Sequence, residues 1–377
     1  RVGSLHDSKA KIVIHASSNA VYNKGWVLFY KQNSLLAQRF DEGSLELGGD
    51  PIPILENLLY ARVRNKGAFS LSRTNRLVYL GTSKSDDEMV VYDQSGLILQ
   101  TIKSKVSTTA ASLSNDGKYV ATDALDESAK NTDLWIHDLQ RNSNTRLTFD
   151  KGTEIVPVWS PDDSKIYFSS NRTGIFNVYV KNSNGTGDEQ LAYESKYAAY
   201  VTDISRDGKI LLLSINTQGA QKWDIGMYNT TEKKYTPLLT SVFDEWLGAF
   251  SPDAKWYTYQ SNETGKYEVY IRPTDGSQSK WQVSTNGGTS PQWLSSGKEI
   301  IYDINDQQLL SVPLTVSGDQ LKIGQSKVLF KIDASFQTNV LYKSKDGKQI
   351  LVSRSLNTQS LKFASIVFNW QNLVEKK

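Results

Sequence analysis

Short apolar runs of four to six residues alternate with polar turn residues along most of the chain. Residues 155–159 read Ile-Val-Pro-Val-Trp, residues 165–168 read Lys-Ile-Tyr-Phe, and residues 210–213 read Ile-Leu-Leu-Leu. The runs are rich in β-branched and aromatic residues, and Gly, Asn, Asp, Ser and Pro bound them. Runs of this length and composition predict β-strands joined by tight turns.

A turn signature, Ser-x-Asp-Gly-Lys or a near copy, separates two of these runs in each repeat. Its copies lie at residues 114–118, 160–165, 205–209, 251–255, 295–298 and 344–348. The aspartates of the first four copies are 46, 45 and 46 residues apart. Asp bonds its own backbone and Gly supplies a positive φ, so the signature predicts a hairpin.

A third apolar run and a more polar fourth run complete each repeat, as at residues 134–137 and 145–148. A repeat of this length with four strands indicates a β-propeller, in which each repeat forms one blade. We therefore predict an all-β fold with four-stranded antiparallel blades, and a single domain over residues 1–377.

Eight blades account for nearly the whole chain. Their predicted ranges are residues 17–57, 58–105, 106–150, 151–195, 196–241, 242–286, 287–332 and 333–370. We expect a strand at residues 10–16 to complete the last blade, because this closure removes an open sheet edge. Seven blades are the alternative, because residues 1–5 also resemble a third strand and compete with residues 363–368 for that place.

Composition limits the classes of partner and chemistry. The net charge is +3 and no run of Lys and Arg occurs, so we expect no nucleic-acid partner. The chain has no cysteine, and no stretch approaches 18 consecutive apolar residues, so we expect no membrane segment in it. It begins at Arg1 without an initiator Met, which suggests a segment of a longer precursor.

The sequence offers no catalytic or metal site. No Gly-x-Ser-x-Gly elbow of a serine hydrolase occurs. The three histidines, His6, His15 and His137, are scattered, and each turn signature supplies too few carboxylates for a calcium loop. We expect no catalytic residue, no metal and no cofactor.

Ligand recognition is expected where loops surround one mouth of the propeller channel. The connections from one blade's outer strand to the next blade's inner strand lie at this mouth. The candidate ligand-binding residues there are Glu154, Tyr197, Tyr200, Glu245, Trp246, Ser290 and Gln337.

Residues 160–172, from Ser-Pro-Asp to Ser-Asn-Arg, resemble the repeat of TolB-like propellers. The sequence is still more similar to the propeller region that follows the membrane segment in many bacterial Ser/Thr protein kinases. Residues 2–5, 18–22, 28–29, 36–41, 280–293 and 368–370 carry this likeness. The resemblance implies a sensor or protein-interaction module outside the membrane. The kinase's own motifs are absent from this chain.

Three functional hypotheses follow. The first is a non-catalytic, periplasmic or extracellular sensor or scaffold that binds an unknown protein, peptide or small molecule, tethered in its parent to a Ser/Thr kinase or winged-helix regulator. The second is a propeller enzyme, a polysaccharide lyase or hydrolase, that uses channel carboxylates such as Glu154 and Glu245. The third is a free-standing periplasmic scaffold like TolB.

Overall fold

The computed structural model describes residues 2–3, 10–14, 19–31, 34–56, 58, 60–61, 66–72, 74–80, 88–103, 108, 110–126, 131–217, 222–304, 308–317, 320–332, 336–343, 347–356 and 364–375. It contains two compact units, residues 1–85 with 357–377 (unit 1) and residues 86–356 (unit 2).

Unit 1 begins with ten short strands. They are β1 (Val2–Gly3), β2 (Ala10–Lys11), β3 (Ala20–Asn23), β4 (Trp26–Lys31), β5 (Ser34–Asp41), β6 (Glu46–Glu56), β7 (Tyr60–Ala61), β8 (Lys66–Gly67), β9 (Phe69–Leu71) and β10 (Arg76–Leu80). Strands β3–β6 form a four-stranded antiparallel sheet. Its buried positions, among them Leu28 and Leu35, pack with Trp370 in one hydrophobic cluster.

Unit 2 holds the repeats. Its strands are β11 (Glu88–Asp93), β12 (Ile98–Lys103), β13 (Ala111–Leu113), β14 (Tyr119–Asp126), β15 (Asn131–Asp138), β16 (Ser143–Arg146), β17 (Glu154–Trp159), β18 (Lys165–Ser170), β19 (Asn177–Asn182), β20 (Gln190–Tyr193), β21 (Ala198–Ile204), β22 (Ile210–Asn216), β23 (Asp224–Asn229), β24 (Lys234–Leu239), β25 (Glu245–Phe250), β26 (Trp256–Ser261), β27 (Glu268–Pro273), β28 (Trp281–Gln282), β29 (Thr289–Trp293), β30 (Glu299–Ile304), β31 (Gln308–Ser317), β32 (Gln320–Ile323), β33 (Lys327–Lys331), β34 (Phe336–Lys343) and β35 (Gln349–Leu356).

Within the described part of unit 2 these strands form six antiparallel sheets. Blades 1 to 4 are β13–β16, β17–β20, β21–β24 and β25–β28, blade 5 is β29–β33, and blade 6 has the order β34-β35-β11-β12. The inner strands are β13, β17, β21, β25, β29 and β34; each contacts the next, and β34 contacts β13. The inner strands therefore form a closed cycle, as a propeller requires.

The closure of this cycle differs from the expected one. Strands β34 and β35 are completed by β11 and β12, with Val352 opposite Val90. Residues 12–14 form no strand, His15 and Ala16 lie outside the described residues, and β2 pairs with β1. The repeat period could not reveal this, because residues 88–103 carry the third- and fourth-strand pattern but do not say which hairpin they join.

The C-terminal strand also pairs differently from the expectation. Strand β36 (Ala364–Phe368) lies beside β10 in unit 1, with Val78 opposite Ile366, and not in the last blade. A short helix, α1 (Asn372–Glu375), follows it. Within the described ranges, no helix has the length and apolar character that crossing a bilayer demands.

The structure confirms that the turn signature forms a hairpin. In the second copy Ser160 Oγ donates to Asp162 Oδ1 over 2.6 Å, and the Lys165 backbone N–H donates to Ser160 Oγ over 2.9 Å. The copies that begin at Ser114, Ser205 and Ser251 have the same two bonds. The signature aspartates therefore have a turn role, and the side-chain bonds of Asp162 lower its pKa to about 2.

Candidate binding site on the loop face

One end of the blades in unit 2 carries the loops that enter the inner strands and the loops that leave the second strands. We call it the loop face; the opposite end, which carries the signature turns, is the turn face. Glu154 begins β17 opposite Ser170, the last residue of β18, and Glu245 begins β25 opposite Ser261 of β26. Both glutamates thus lie at the loop face.

Glu154 is completely buried and is bonded within its own blade. Its Oε1 accepts a hydrogen bond from Ser170 Oγ at 2.8 Å and lies 3.4 Å from Arg172 Nη2. The same guanidinium nitrogen is 2.5 Å from Glu189 Oε2, and the Arg172 guanidinium carbon stands 4.3 Å from the centre of the Tyr179 ring. Burial raises the pKa of Glu154 to about 7. This carboxyl holds the blade 2 loop together.

Glu245 is buried as well. Its side chain and its backbone form hydrogen bonds with two different loops. Its Oε1 accepts a hydrogen bond from Ser241 Oγ at 2.6 Å, and its backbone N–H donates to the Trp223 carbonyl at 2.9 Å. Burial raises its pKa to about 7. Glu154 and Glu245 start inner strands two blades apart, and each has its own bonding partners.

Five half-buried aromatic residues follow one another across blades 2 to 4 on the loop face. We call them the aromatic arc: Phe176, Tyr200, Trp223, Trp246 and Tyr267. The Phe176 and Tyr200 ring centres are 5.1 Å apart, and those of Tyr200 and Trp223 are 4.8 Å apart. The Trp246 indole lies beside the Tyr267 hydroxyl. The arc therefore consists of a contacting triplet, Phe176, Tyr200 and Trp223, and a pair, Trp246 and Tyr267.

The backbone fixes the spacing of the arc. Phe176, Trp223 and Tyr267 each immediately precede a third strand, and each carbonyl accepts a hydrogen bond from the start of the next blade. The donors are the N–H groups of Ala199, Glu245 and Gly288, at 2.9, 2.9 and 3.0 Å. Tyr200 and Trp246 directly follow the first two donors, so aromatic residues from successive blades alternate.

Asp244 ties two members of the arc to one carboxylate. Its Oδ1 accepts a hydrogen bond from the Trp223 backbone N–H at 3.1 Å, and its Oδ2 accepts one from the Tyr267 hydroxyl. Burial and the neighbouring Asp244 raise the pKa of Tyr267, so this hydroxyl keeps its proton. Asp244 thus fixes the Trp223 backbone and the Tyr267 hydroxyl.

Apolar residues extend the arc outward to solvent. Ile175 is 40% exposed, Tyr197 37%, Phe243 38% and Val242 83%. Lys196 Nζ lies 5.0 Å from the centre of the Tyr197 ring. Exposed apolar residues beside half-buried aromatic rings are typical of an interaction site.

The structure places the predicted site residues in three settings. Tyr200 and Trp246 belong to the arc, and Tyr197 lies at its edge, whereas Glu154 and Glu245 are buried beneath the loops. Ser290 is buried at an irregularity of β29 with a φ of 51°, and its N–H donates to Gln260 Oε1 at 2.9 Å. Gln337 lies in β34 opposite Ser355, and its side chain is outside the described set.

Sequence reasoning missed Phe176, Trp223 and Tyr267. A signal was present, because residues 176–178, 223–225 and 267–269 share the order aromatic, polar, Val or Ile. The polar residue of each triplet is buried at the start of a third strand, which places the preceding aromatic residue in the loop.

The described residues contain no group of three or more His, Asp or Glu side chains placed to hold a metal ion. His137 lies in β15 with its Nε2 3.2 Å from Thr122 Oγ1, and burial lowers its pKa. His6 and His15 are outside the described residues.

Known proteins similar to this chain share the propeller. Residues 67–247 match the PD40 family, described as the TolB beta propeller domain. The Tol-Pal system protein TolB of Helicobacter pylori is 23% identical over 215 residues, which cover 55% of this chain and 47% of that protein. TolB of Helicobacter hepaticus is 24% identical over 161 residues, 41% of this chain and 38% of that protein. The matched region thus spans less than half the length of these relatives.

Solved structures show the same architecture. A putative TolB from Agrobacterium tumefaciens superposes with a TM-score of 0.57 at 19% identity, covering 73% of this chain and 99% of that one. Hydrazine synthase of Kuenenia stuttgartiensis gives a TM-score of 0.50 at 14% identity, covering 80% of this chain and 94% of that one. At these identities the likeness concerns the fold. Taken with the blades of unit 2, it characterises the chain as a TolB-like β-propeller.

Proposed function

We propose that this protein is a non-catalytic binding scaffold that captures a partner polypeptide on the loop face of blades 2 to 4. The observation that carries the proposal is the aromatic arc. Its members are half-buried, the Tyr200 ring contacts the Phe176 and Trp223 rings, and exposed apolar residues lie in the same loops. Aromatic anchors of this type contribute most of the binding energy at protein interfaces.

The two loop-face glutamates support a binding role over the enzyme alternative. Glu154 is bonded to Ser170 and Arg172, and Glu245 to Ser241, so each has a local structural partner. A glycoside-cleaving pair would need two carboxyl groups facing one substrate bond. The bonds of these two residues therefore support a role in positioning the loops.

The curated relatives named Tol-Pal system protein TolB favour the free-standing scaffold over the kinase-linked sensor. A periplasmic or extracellular location belongs to the same proposal. The sensor role, with tethering to a kinase or regulator in a longer parent, is the alternative that the sequence resemblance suggested.

The test uses selection of peptides from a phage-displayed library of random dodecapeptides on the intact protein. We expect the double variant Tyr200→Ala/Trp246→Ala to bind the selected peptides more weakly by about 2 kcal/mol or more, roughly 30-fold in affinity. Fluorescence anisotropy measures this affinity. Leu97→Ala is the control, because Leu97 is an exposed apolar residue in the turn between β11 and β12. Selected peptides that bind the double variant with unchanged affinity would refute the site.

A further inference from the structure

Three carboxylates in the loops of blades 3 and 4 have no ion pair within the described part of the chain. They are Asp224, Asp244 and Glu245, and each is more than nine-tenths buried. Asp224 Oδ1 and Glu245 Oε2 also have no hydrogen-bond donor among the described residues. The two residues belong to neighbouring blades, joined where the Glu245 N–H donates to the carbonyl of Trp223, the residue before Asp224. Two buried acidic oxygens thus lack the partners that such groups normally have.

The charges around Glu245 make its surroundings negative. Burial is the main cause that raises its pKa to about 7, and the charges of Asp224 and Glu263 raise this pKa further. Arg272 acts in the opposite sense, with a smaller effect than either acid. Lys222 is the one basic residue of these loops that has no ion pair in the described part of the chain, and it faces three such carboxylates. An additional cation would therefore be attracted here.

Members of the aromatic arc lie at the same place. The Asp244 carboxylate accepts hydrogen bonds from the Trp223 backbone N–H at 3.1 Å and from the Tyr267 hydroxyl, and the Trp246 indole lies beside that hydroxyl. All three aromatic residues are half-buried, so part of each reaches the surface. An ammonium or guanidinium group is attracted to the face of a Trp or Tyr ring. Solvent screens a buried carboxylate less than an exposed one, which strengthens its attraction for the same cation.

We propose that the loop face of blades 3 and 4 binds a Lys or Arg side chain of the partner segment. The cationic group packs against Trp223, Trp246 and Tyr267, and the carboxylates beneath them supply the opposite charge. Apolar residues beside the cation contact the exposed Val242 and Phe243. This inference rests on the proposed function and names the chemistry of its partner, a basic polypeptide segment with apolar residues.

Two other cations fit this place less well. A divalent metal ion takes several oxygen ligands at about 2–2.6 Å, and no three Asp, Glu or His side chains of the described ranges are placed to hold one. A small free amine would contact the rings and leave the exposed Val242 and Phe243 in water. A basic side chain carried by a polypeptide uses both features.

The experiment uses the dodecapeptides selected on the intact protein. The net charge of the chain is +3, so non-specific attraction would select acidic peptides. We expect the selected peptides to be enriched instead in Lys and Arg, together with apolar residues, relative to the unselected library. The double variant Asp244→Asn/Glu245→Gln should bind them about tenfold more weakly in about 50 mM NaCl, as measured by fluorescence anisotropy.

A matched control variant removes two acids from the turn face of the same blades. Glu232 and Asp275 are exposed in the turns between the third and fourth strands of blades 3 and 4. Glu232→Gln/Asp275→Asn therefore makes the same change in net charge at the opposite end of these blades. We expect its affinity for the peptides to stay within about twofold of wild type. Equal losses in the two double variants would mean that net charge alone acts, and would overturn the proposal.

Lys222→Gln tests the same place without altering a buried carboxylate, so it also decides the matter if the double variant does not fold. Lys222 directly precedes Trp223 and is half-buried. Its charge repels a cation bound at the neighbouring rings, and its removal should raise the affinity for basic peptides about threefold at low salt. An affinity that stays the same or falls would contradict the proposal.

The outcomes separate this inference from the proposed function. Neutral or acidic peptides that require Tyr200 and Trp246 would overturn the cationic side chain and leave the binding face intact. Absence of any peptide that depends on the arc would remove both. Binding of Ca²⁺ alone in isothermal titration calorimetry, if Asp244→Asn/Glu245→Gln abolishes it, would identify a metal site instead and contradict the proposal.

Discussion

Asp163 shows how one residue of a repeated turn can bind a neighbouring blade. Other copies of the signature have Gly117, Gly208 or Ala254 at this place, with φ of 72°, 74° and 55°. Asp163 adopts a φ of 58°. Its Oδ1 accepts hydrogen bonds from Asn115 N and Asn115 Nδ2, both at 2.8 Å, and its Oδ2 accepts one from Asp116 N at 2.9 Å. The carboxylate thus joins the turns of blades 1 and 2.

Replacing this carboxylate should separate the cost of its left-handed backbone from the contribution of its hydrogen bonds. Asp163→Gly relieves the left-handed backbone but removes three charge-assisted hydrogen bonds, so we expect a net loss of about 1–2 kcal/mol in the free energy of unfolding. Asp163→Asn, which keeps one acceptor oxygen, is expected to lose less. Chemical denaturation measures both, and a glycine variant as stable as the wild type would show that the bonds between the turns contribute nothing.

Glu245 predicts a pH dependence of stability with a definite sign. Burial raises its pKa from 4.5 to about 7, so the folded state binds more protons than the unfolded state between these values. Stability therefore falls as pH rises through this window. Glu245→Gln removes the titrating group, and we expect the variant to match the wild type near pH 4 and to exceed it by about 2 kcal/mol at pH 8.

Denaturant midpoints at the two pH values measure this effect. Glu263→Gln controls for the change in net charge, because it removes a carboxylate from the adjoining loop of the same blade. A stability difference between Glu245→Gln and wild type that is the same at pH 4 and pH 8 would contradict the assignment.

At the scale of strands and turns, the sequence predicted local structure better than it predicted which strands pair with each other. The turns, the strand type and the polar fourth strands follow from residue chemistry over a few positions. The pairing in blade 6 joins distant parts of the chain, because Val352 and Val90 are 262 residues apart, and from the sequence several apolar strands could pair at the same place. Phe176, Trp223 and Tyr267 escaped notice for a related reason: they lie in separate loops, and only the fold brings Phe176 beside Tyr200.

Strand β11 provides a test of this pairing. It is the third strand of blade 6, bonded to β35 on one side and β12 on the other, and Val90 is completely buried. Proline at position 90 removes a ladder hydrogen bond in a central strand, where proline is not tolerated. We therefore expect Val90→Pro to increase hydrogen exchange at the amides of β34, β35 and β12.

Deletion of residues 1–16 is the matching experiment for the closure expected from sequence. If β11 and β12 complete blade 6, this deletion leaves the exchange protection of β34 and β35 unchanged. Loss of their protection in the deletion variant, together with normal protection in Val90→Pro, would show that the N-terminal strand completes blade 6 instead.

At the scale of the molecule, unit 2 has the features of an independently stable domain. Six hydrophobic clusters consist of residues between 86 and 356, and the inner strands complete their cycle within the same range. Closure by two strands from each end of this range ties its termini together, and a closed ring leaves no inner sheet edge open. The single eight-bladed domain predicted from the period requires residues outside this range; the closed cycle of unit 2 does not.

A fragment of residues 86–356 should therefore fold, whereas one of residues 104–356 should not. The shorter fragment lacks β11 and β12, which exposes Ile350 and Val352, both completely buried in unit 2, and leaves β35 with an unpaired edge. We expect the longer fragment to melt in one cooperative transition by circular dichroism, and the shorter one to aggregate or melt without a transition. Equal cooperativity in the two fragments would mean that the cycle closes without β11 and β12, because a ring that depends on these strands cannot keep its packing after losing them.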